Sequence, residues 1–374
     1  MVLNSLASKK TIFYDSHIAA HGNMVPFAGY LMPVNYSAGI IKEHLHTRSD
    51  AGLFDVCHMG QILIKGKNAI PSLEKLIPVD LDALKINQQL YSVFTSPDGG
   101  VLDDLIITRW AEDCFFLVVN ATFKDQDLEH LKRYITACDI SLMPHQSLMA
   151  LQGLRAVEIM SELAPEAASL QFMHGCCSDI NGIACYITRS GYTGEDGFEI
   201  SVADEYALEL SAHLLSYDYC QWIGLGARDS LRLEAGLCLY GHDMDKNTSP
   251  IEASIGWSIS RSRRTGGSKA GGFLGSDLIL QQFSHGVKKR RVGFVVDGRS
   301  PVRQGADITD SNGQIVGKIT SGGFGPTLQA PIAMGYVSEE NSNEGSRLDA
   351  IVRGKPLPIK VARMPFVNQR YYRG

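Results

Sequence analysis

The chain has 374 residues, of which 44% are hydrophobic and 20% charged, so it has the composition of a globular protein and is long enough for two or three domains. Its formal net charge of −5 gives no overall basic field, which argues against a general nucleic-acid-binding protein. The eight cysteines form no CxxC pair and no regular spacing, which favours reduced thiols in an intracellular protein over a disulfide scaffold.

The N-terminal residues 1–10 are polar, with neither the apolar core of a signal peptide nor the arginine-rich pattern of a transit peptide. No apolar run in the sequence approaches the roughly 18 residues that a membrane-spanning helix needs. We therefore expect a cytoplasmic protein, although a processed organellar chain would have the same pattern.

The first part of the chain mixes strand and helix signals. Residues 61–64, 105–108 and 114–119 are short β-rich segments bounded by glycine, aspartate or asparagine, which predicts three strands. Residues 124–138 repeat apolar side chains at a spacing of three to four, which predicts a helix.

Two consecutive carboxylates follow a glycine turn in residues 99–106 (GGVLDDLI). If this segment is one strand, its period of two sends Asp103 and Asp104 to opposite faces, so that one of them points inward. A buried carboxylate is unfavourable unless a partner or a ligand satisfies it, which makes the pair a candidate site. The alternative is a turn-capping aspartate followed by a solvated one.

The middle of the chain continues the mixed pattern. Residues 184–188 and 198–202 predict strands, and residues 204–215 predict a helix that opens with an acidic residue suited to an N-cap. Because the regular strand–helix alternation of a doubly wound sheet is missing, the predicted fold class is α+β with mixed or antiparallel sheets.

Glycines and acidic residues are concentrated in two stretches, 191–200 (GYTGEDGFEI) and 224–237 (GLGARDSLRLEAGL). Glycine lets the backbone approach a ligand closely, so we consider Glu199 and Arg228 as binding residues. Glu199 would accept paired N–H groups of a planar heterocycle, or it is an edge-strand glutamate in water. Arg228, at the start of a helix predicted over 229–235, would clamp a carboxylate, or it pairs with Asp229 or Glu234.

A glycine-, serine- and arginine-rich stretch at 260–275 marks a domain boundary. Its basic run 261–264 and a second run at 288–291 are either solvated loops or contacts for an acidic partner. From Val292 onward, short apolar runs separated by glycine turns predict a small all-β domain, a sandwich or barrel. Tyr371 and Tyr372 are too apolar for a frayed end, so we expect the C-terminus to be docked on the body.

Other common sites have little support in the sequence. His44 and His46 would share one face of a strand, but no third ligand at a recognised spacing follows, so we predict no metal site. The motifs GxGxxG, GxxxxGK[ST] and GxSxG are all missing, which removes the usual sequence grounds for dinucleotide, P-loop or serine-hydrolase chemistry.

The chain resembles the T-protein family of the glycine cleavage system from about Phe13 to Tyr372. The matching stretches occur in order at residues 21–30, 43–48, 53–60, 99–106, 191–200, 226–243, 332–337 and 365–372. The resemblance implies an aminomethyltransferase that takes the aminomethyl group from the lipoyl arm of H-protein. Its one-carbon unit passes to tetrahydrofolate, which gives 5,10-methylenetetrahydrofolate and ammonia.

The resemblance also implies the site. Asp104 corresponds to the key acid, which activates the attacking nitrogen of tetrahydrofolate, and Glu199 to the residue that grips the pterin. The further ligand contacts that it implies are Arg228 and Tyr371, and the residues around the folate cavity are Arg291, Met59 and Asn120. Three more tyrosines are candidates for packing on the flat pterin or aminobenzoyl rings, namely Tyr91, Tyr192 and Tyr240. It implies tetrahydrofolate as co-substrate, with no metal and no nucleotide.

The fold implied by the resemblance has three domains around a central hole that holds the folate, and the C-terminal domain is a jelly-roll-like β-barrel. The second domain is inserted in the first. We therefore assign residues 1–52 and 145–275 to domain 1, residues 53–144 to domain 2 and residues 276–374 to domain 3.

The implied partners are lipoylated H-protein and folate, with no nucleic acid and no membrane. Related folate enzymes of this architecture demethylate sulfonium compounds or form part of dimethylglycine- and sarcosine-oxidising proteins, whose flavin fingerprint is missing here. A non-enzymatic folate-binding scaffold is a further alternative, but the Lys-Gly-Cys-x-x-Gly-Gln motif of the relatives in iron–sulfur assembly is also missing.

Overall fold

The structure, a computed structural model, describes residues 8–374, so most of the polar N-terminal segment 1–10 lies outside the described residues. Helices and strands alternate irregularly along this part of the chain. The α-helices are α1 (Tyr14–Ala19), α2 (Ile40–Ser49), α3 (Ala69–Leu73), α4 (Lys124–Tyr134), α5 (Ala156–Leu163), α6 (Pro165–Ala168), α7 (Asp204–Leu214), α8 (Leu225–Glu234) and α9 (Ser276–His285). The strands before α7 are β1 (Lys9–Lys10), β2 (Asn23–Phe27), β3 (Tyr30–Asn35), β4 (Ala51–Asp55), β5 (Gly60–Lys65), β6 (Gln89–Thr95), β7 (Val101–Ala111), β8 (Cys114–Val119), β9 (Asp139–Leu142), β10 (Gln146–Gln152), β11 (Gly175–Ile180), β12 (Ile183–Thr188) and β13 (Gly197–Ala203). Those after α7 are β14 (Cys220–Trp222), β15 (Lys289–Val296), β16 (Asp307–Thr309), β17 (Ile315–Gly325), β18 (Ala330–Ser338), β19 (Arg347–Val352) and β20 (Lys355–Ala362).

A six-stranded mixed sheet has the order β11-β12-β13-β10-β4-β14. Its strands pair antiparallel except β14, which runs parallel to β4. Helix α7 buries Ala207, Leu210 and Leu214, at a spacing of three to four, in the same core as Phe198 and Ile200 of β13. The small sheet β1-β3-β2 precedes it in the chain.

The chain leaves the six-stranded sheet after β4 and returns to it at β10. Between these strands it forms a five-stranded antiparallel sheet with the order β6-β7-β8-β5-β9. This second sheet has a separate core, which includes Ile62, Phe94, Ile107, Phe115 and Leu131 of α4. Because the strands of both sheets have similar, ordinary compositions, this nesting leaves no compositional signal.

The C-terminal part is a closed six-stranded barrel with the order β15-β18-β17-β16-β19-β20. Its interior contains Phe294, Ile308, Ile319 and Ile359, among other apolar side chains. This confirms the predicted all-β domain as a barrel, and its first strand begins at Lys289, within the second basic run.

Helix α2 corrects the strand reading of His44 and His46. The usual burial pattern of a helix is reversed here: the apolar Ile41 and Leu45 are 52% and 42% exposed, whereas the polar Glu43 and His44 are buried. The Glu43 carboxylate accepts the N–H of Tyr36 at 2.6 Å and the N–H of Gly224 at 2.8 Å. Buried polar residues therefore replace the apolar stripe by which a helix is recognised.

Other predicted elements differ at their ends. Helix α4 ends at Tyr134, four residues before the predicted limit, and α8 begins at Leu225, so that Arg228 lies within its first turns rather than just before it. Asp204 lies in the first turn of α7 and makes no N-cap bond, because its carboxylate accepts the Ser147 hydroxyl at 2.6 Å.

The C-terminal segment after β20 is docked on the body, as predicted. The backbone N–H of Phe366 donates to the carbonyl of Glu234 at 2.9 Å, and that of Arg370 donates to the carbonyl of Gly194 at 2.8 Å. The carbonyl of Tyr372 accepts the N–H of Phe172 at 2.7 Å. Within residues 8–374, no helix combines the length and apolarity that crossing a bilayer requires.

Candidate functional site

A cavity of about 1040 Å³ lies where the two large sheets, the barrel and the C-terminal segment meet. Its wall is built from residues far apart in sequence, from Phe27 to Arg373. The structure brings all the predicted site residues to this one wall, namely Met59, Tyr91, Asp104, Asn120, Tyr192, Glu199, Arg228, Tyr240, Arg291 and Tyr371. Their roles toward a ligand stay predictions.

Asp104 lies on β7 and faces the cavity, half-buried, while Asp103 is fully buried. The strand period therefore separates the two acids as expected. The Asn120 amide donates to Asp104 Oδ1 at 2.7 Å. Burial raises the pKa of Asp104 to about 7, the adjacent Asp103 carboxyl adds to the rise, and Asn120 and Tyr91 oppose it. A carboxyl that titrates near neutral pH suits general acid–base catalysis.

Glu199 projects from β13 into the same cavity. Its Oε2 accepts the Ser190 hydroxyl at 3.3 Å. Burial raises the pKa of Glu199, while the positive charge of Arg228 and the bond from Ser190 lower it. The carboxylate is thus held on a rigid strand, with acceptor capacity left for a ligand.

Arg228 reaches the cavity from α8. Its guanidinium lies 4.8 Å from the ring centroid of Tyr192, and across residues 8–374 it has neither a hydrogen-bond acceptor nor a carboxylate within ion-pair distance. The two alternative partners are engaged elsewhere, Asp229 with Arg232 and Glu234 with Arg48. The fork of donors therefore remains available to an anionic group.

Flat aromatic side chains form much of the wall. Tyr371 is stacked on Phe172 with ring centroids 4.0 Å apart, and Tyr91 lies 5.2 Å from Trp257. The hydroxyl of Tyr192 donates to the carbonyl of Cys238, and that of Tyr240 donates to the carbonyl of Val101 at 3.0 Å. Because these two hydroxyls are used internally, the tyrosines offer rings rather than polar groups to a ligand.

Arg291 and Met59 complete the predicted set. The Arg291 guanidinium is buried and donates to the carbonyl of Ala253 at 2.8 Å and toward the sulfur of Met334 at 3.0 Å. It is an internal residue, not part of a solvated basic run. Met59 is packed beside the core between the two large sheets.

His58, Phe172, Trp257 and Arg373 also line the cavity and were missed as site residues. His58 is the most distinctive, since it is buried and its Nδ1 has no hydrogen-bond partner in the described part of the chain. Burial and the charge of Arg228 lower the pKa of His58 to about 4, so the imidazole is neutral at neutral pH. The sequence feature that could have identified His58 is its position within residues 53–60, one of the stretches that resemble the T-protein family.

The basic loop after Ser260 is tied down internally, which corrects part of the docking hypothesis. Arg263 is buried and donates to the carboxylate of Glu74 at 3.0 Å. Lys269 donates to Glu74, Asp80 and Asp82. These three carboxylates are the group of possible metal ligands found in residues 8–374, and the lysine ammonium already serves as their cation.

The histidines considered as metal ligands have structural partners. His44 is hydrogen-bonded to Ser230 at 2.7 Å and to Glu234 at 3.1 Å. His46 lies 3.0 Å from the carbonyl of Ala51. The two rings therefore serve the packing of α2 and do not converge on one point.

Comparisons with known proteins cover nearly the whole chain. The family described as "GCVT N-terminal domain" matches residues 13–263, and "Glycine cleavage T-protein C-terminal barrel domain" matches residues 289–368. A relative from Solanum tuberosum named "Aminomethyltransferase, mitochondrial" is 46% identical over 98% of this chain and 91% of its own length. A "Probable aminomethyltransferase, mitochondrial" of Schizosaccharomyces pombe is 41% identical over 99% of this chain and 95% of its own.

Solved structures give the same result. The crystal structure of glycine cleavage system aminomethyltransferase T from Bartonella henselae superposes with a TM-score of 0.93 at 41% identity. The match covers 98% of this chain and 100% of that one. Sequence and fold similarity therefore extend over both the sheet-containing part and the barrel.

Proposed function

Because the chain belongs to the glycine cleavage T-protein family, a family of aminomethyltransferases, we propose how its cavity carries out that activity. The enzyme is a tetrahydrofolate-dependent aminomethyltransferase of the glycine cleavage system. In the proposed reaction it takes the aminomethyl group from the lipoyl arm of H-protein, transfers the one-carbon unit to tetrahydrofolate and releases ammonia. The observation that supports this most is the single cavity lined by every predicted site residue.

In this proposal the pterin lies between the aromatic side chains and is held by Glu199. A carboxylate can accept two parallel N–H bonds from the pterin edge, and its position on β13 fixes the direction of those bonds. Arg228 supplies the complementary cation for a negatively charged part of the ligand. Folate is the co-substrate, and the proposal includes neither a metal nor a nucleotide.

Asp104 is the proposed proton acceptor. The nitrogen of tetrahydrofolate that attacks the one-carbon unit gains positive charge as the new C–N bond forms, and a neighbouring carboxylate stabilises it and takes its proton. Asn120 orients that carboxylate through the 2.7 Å bond to Oδ1. A pKa of about 7 leaves a substantial ionised fraction at neutral pH.

We also propose the three-domain division, with residues 1–52 and 145–275, 53–144 and 276–374 as the units. The cavity then lies between all three, and folate would meet the lipoyl arm of a docked H-protein there. The plant and yeast relatives are named as mitochondrial proteins, so the cytoplasmic location expected from the N-terminus stays a prediction.

The test is tetrahydrofolate-dependent release of ammonia from H-protein loaded with the aminomethyl group. Unloaded H-protein and reactions without folate are the controls, and a sulfonium methyl donor is run in parallel. Ammonia release that requires both components supports the proposal. Methyl transfer from the sulfonium donor without ammonia release from loaded H-protein would instead identify a folate demethylase.

A further inference from the structure

A second pair of carboxyls lies behind Asp104, and the reaction proposed above does not use it. Asp103, next to Asp104 on β7, is 0% exposed, and Asp127 on α4 is 1% exposed. The segment that contains Asn120 joins β8 to α4, so the fold brings all three acids to the end of one strand pair.

The supply of hydrogen-bond donors to these acids is small. The side-chain amide of Asn120 donates to Asp103 Oδ1 at 2.8 Å and to Asp104 Oδ1 at 2.7 Å, which uses both of its N–H bonds. The backbone N–H of Asn120 lies 3.3 Å from Asp103 Oδ2. Asp127 Oδ2 is buried without a partner among the described residues.

Positive charge is missing as well. No lysine or arginine of residues 8–374 forms an ion pair with Asp103, Asp104 or Asp127, and Lys124 at the start of α4 donates instead to Tyr30 and to the carbonyl of His58. The titratable groups that face the cluster are Tyr91 on β6, Tyr192 before β13, and Cys238 and Tyr240 after α8.

Three ionised carboxylates in this setting would be strongly unfavourable, since buried charges need partners. A proton between two carboxyls removes one charge and supplies the missing donor at the same time. Burial, followed by the charge and hydrogen bond of Asp127, raises the pKa of Asp103 to about 9. Burial raises the pKa of Asp127 to about 7. The proton therefore remains on Asp103 at a pH at which Asp104 ionises, which removes the negative charge of Asp103 that would otherwise contribute to the raised pKa of Asp104.

We propose that Asp103 and Asp127 share one proton, with the Asp103 hydroxyl donating to Asp127, and that this proton-sharing pair positions Asp104 and keeps charge off its immediate neighbour. Both are positioning residues, since Asp103 shares the Asn120 amide with Asp104 and Asp127 acts through Asp103. The inference rests on the proposed function only for its kinetic consequence, since the shared proton itself is a property of the folded protein.

The first test is kinetic and compares two variants that should shift the pH profile of the enzyme differently. In Asp127→Asn the negative charge beside Asp103 is removed and the new amide donates to Asp103, so the pKa of Asp103 falls although its burial remains. A larger fraction of Asp103 is then ionised, and its charge raises the pKa of Asp104. The acidic limb of the pH profile of kcat/KM should move to higher pH by about one unit, with KM for folate unchanged. Asp103→Asn replaces a neutral group with a neutral one, so its acidic limb should stay in place.

An ionised Asp103 in the wild-type enzyme predicts the opposite pattern. Removal of either negative charge would then move the limb to lower pH in both variants, and that result would overturn the proposal. Thermal melting of both variants checks that they are folded.

The second test needs no catalysis. Infrared spectroscopy of the wild-type protein at about pH 8.5, below the pKa of Asp103 and well above those of Asp104 and Asp127, should show the C=O band of a protonated carboxyl, retained in Asp104→Asn and lost in Asp103→Asn. A wild-type protein without this band refutes the shared proton, whatever its activity. A protein that shows the band but releases no ammonia contradicts the proposed function and leaves the proton-sharing pair intact.

Discussion

Asp104→Asn replaces one oxygen of the cavity carboxylate with an NH₂ group and keeps the shape of the side chain. The remaining oxygen can still accept the 2.7 Å bond from Asn120, so the substitution removes the proton acceptor without removing its support. A positioned general base contributes ~10²–10⁴-fold to a rate, so turnover should fall by about 100-fold or more. Folate affinity should stay within about tenfold, which corresponds to ~1.4 kcal/mol.

The pH dependence should change in the same variant. In the wild-type enzyme, protonation of Asp104 below its pKa of about 7 abolishes the base, so the rate falls as the pH decreases through that value. Asparagine does not titrate, so this limb should be missing from the residual activity of Asp104→Asn.

Stability separates lost chemistry from misfolding. The folded protein favours the protonated form of Asp104, whose pKa rises from an ordinary aspartate value of 3.8 to about 7. Ionisation of this group therefore destabilises the fold increasingly as the pH rises above 3.8, with the full effect above about 7. At pH 8 asparagine avoids this penalty, and the Tm of Asp104→Asn should equal or exceed that of the wild type. Steady-state ammonia release and calorimetric melting measure the two effects. Unchanged turnover would refute the role of Asp104, and a large drop in Tm would refute the argument from its raised pKa.

Three further predictions concern binding, stability and docking. Glu199→Ala should weaken folate binding about tenfold or more by calorimetry, and wild-type affinity would contradict the pterin assignment. Glu234→Ala should lower the free energy of unfolding in urea by ~3–5 kcal/mol because it leaves its buried partners unpaired, whereas the exposed control Glu339→Ala should cost less than about 1 kcal/mol. Burial raises the pKa of Glu234, but hydrogen bonds from His44, Thr327 and Arg48 outweigh it and lower the pKa to about 2. The stabilisation of the fold by Glu234 is therefore present above pH 4.5 and is lost as the pH falls toward 2. The affinity for H-protein should fall as the salt concentration rises, and it should fall in Arg261→Ala. The control Arg263→Ala, at a buried residue, should lower Tm instead. An affinity that does not change with salt would favour a solvated loop.

Local sequence patterns were sufficient to predict a strand or a domain class where the environment of each side chain follows from its neighbours in the chain. Strand β8 occupies the predicted residues 114–119, and the glycine-punctuated tail folds as a barrel. The sequence pattern does not reveal helix α2 because its buried face is polar, and one partner of Glu43, the N–H of Gly224, comes from a distant segment. Apolar periodicity carries no information about such a helix.

In the candidate site, too, some features follow from the local sequence and others depend on distant segments. The period of a strand placed Asp103 and Asp104 on opposite faces, and family resemblance gave each site residue its expected role. No local pattern distinguishes Asp127, because an acid on a helix is ordinarily solvated, whereas this one is buried against Asp103.

The sequence by itself determined the α+β class, the C-terminal all-β part and the family, and it named the ten candidate site residues, since these depend on local composition and on ordered motifs. Only the tertiary structure decided that those residues surround one cavity, that Arg263 and Lys269 are used internally, and that the carboxyls of Asp103 and Asp104 meet at Asn120. The physical reason is that burial and the donors or charges within a few ångströms set the protonation of a carboxyl, and these neighbours come from segments that are remote in the chain.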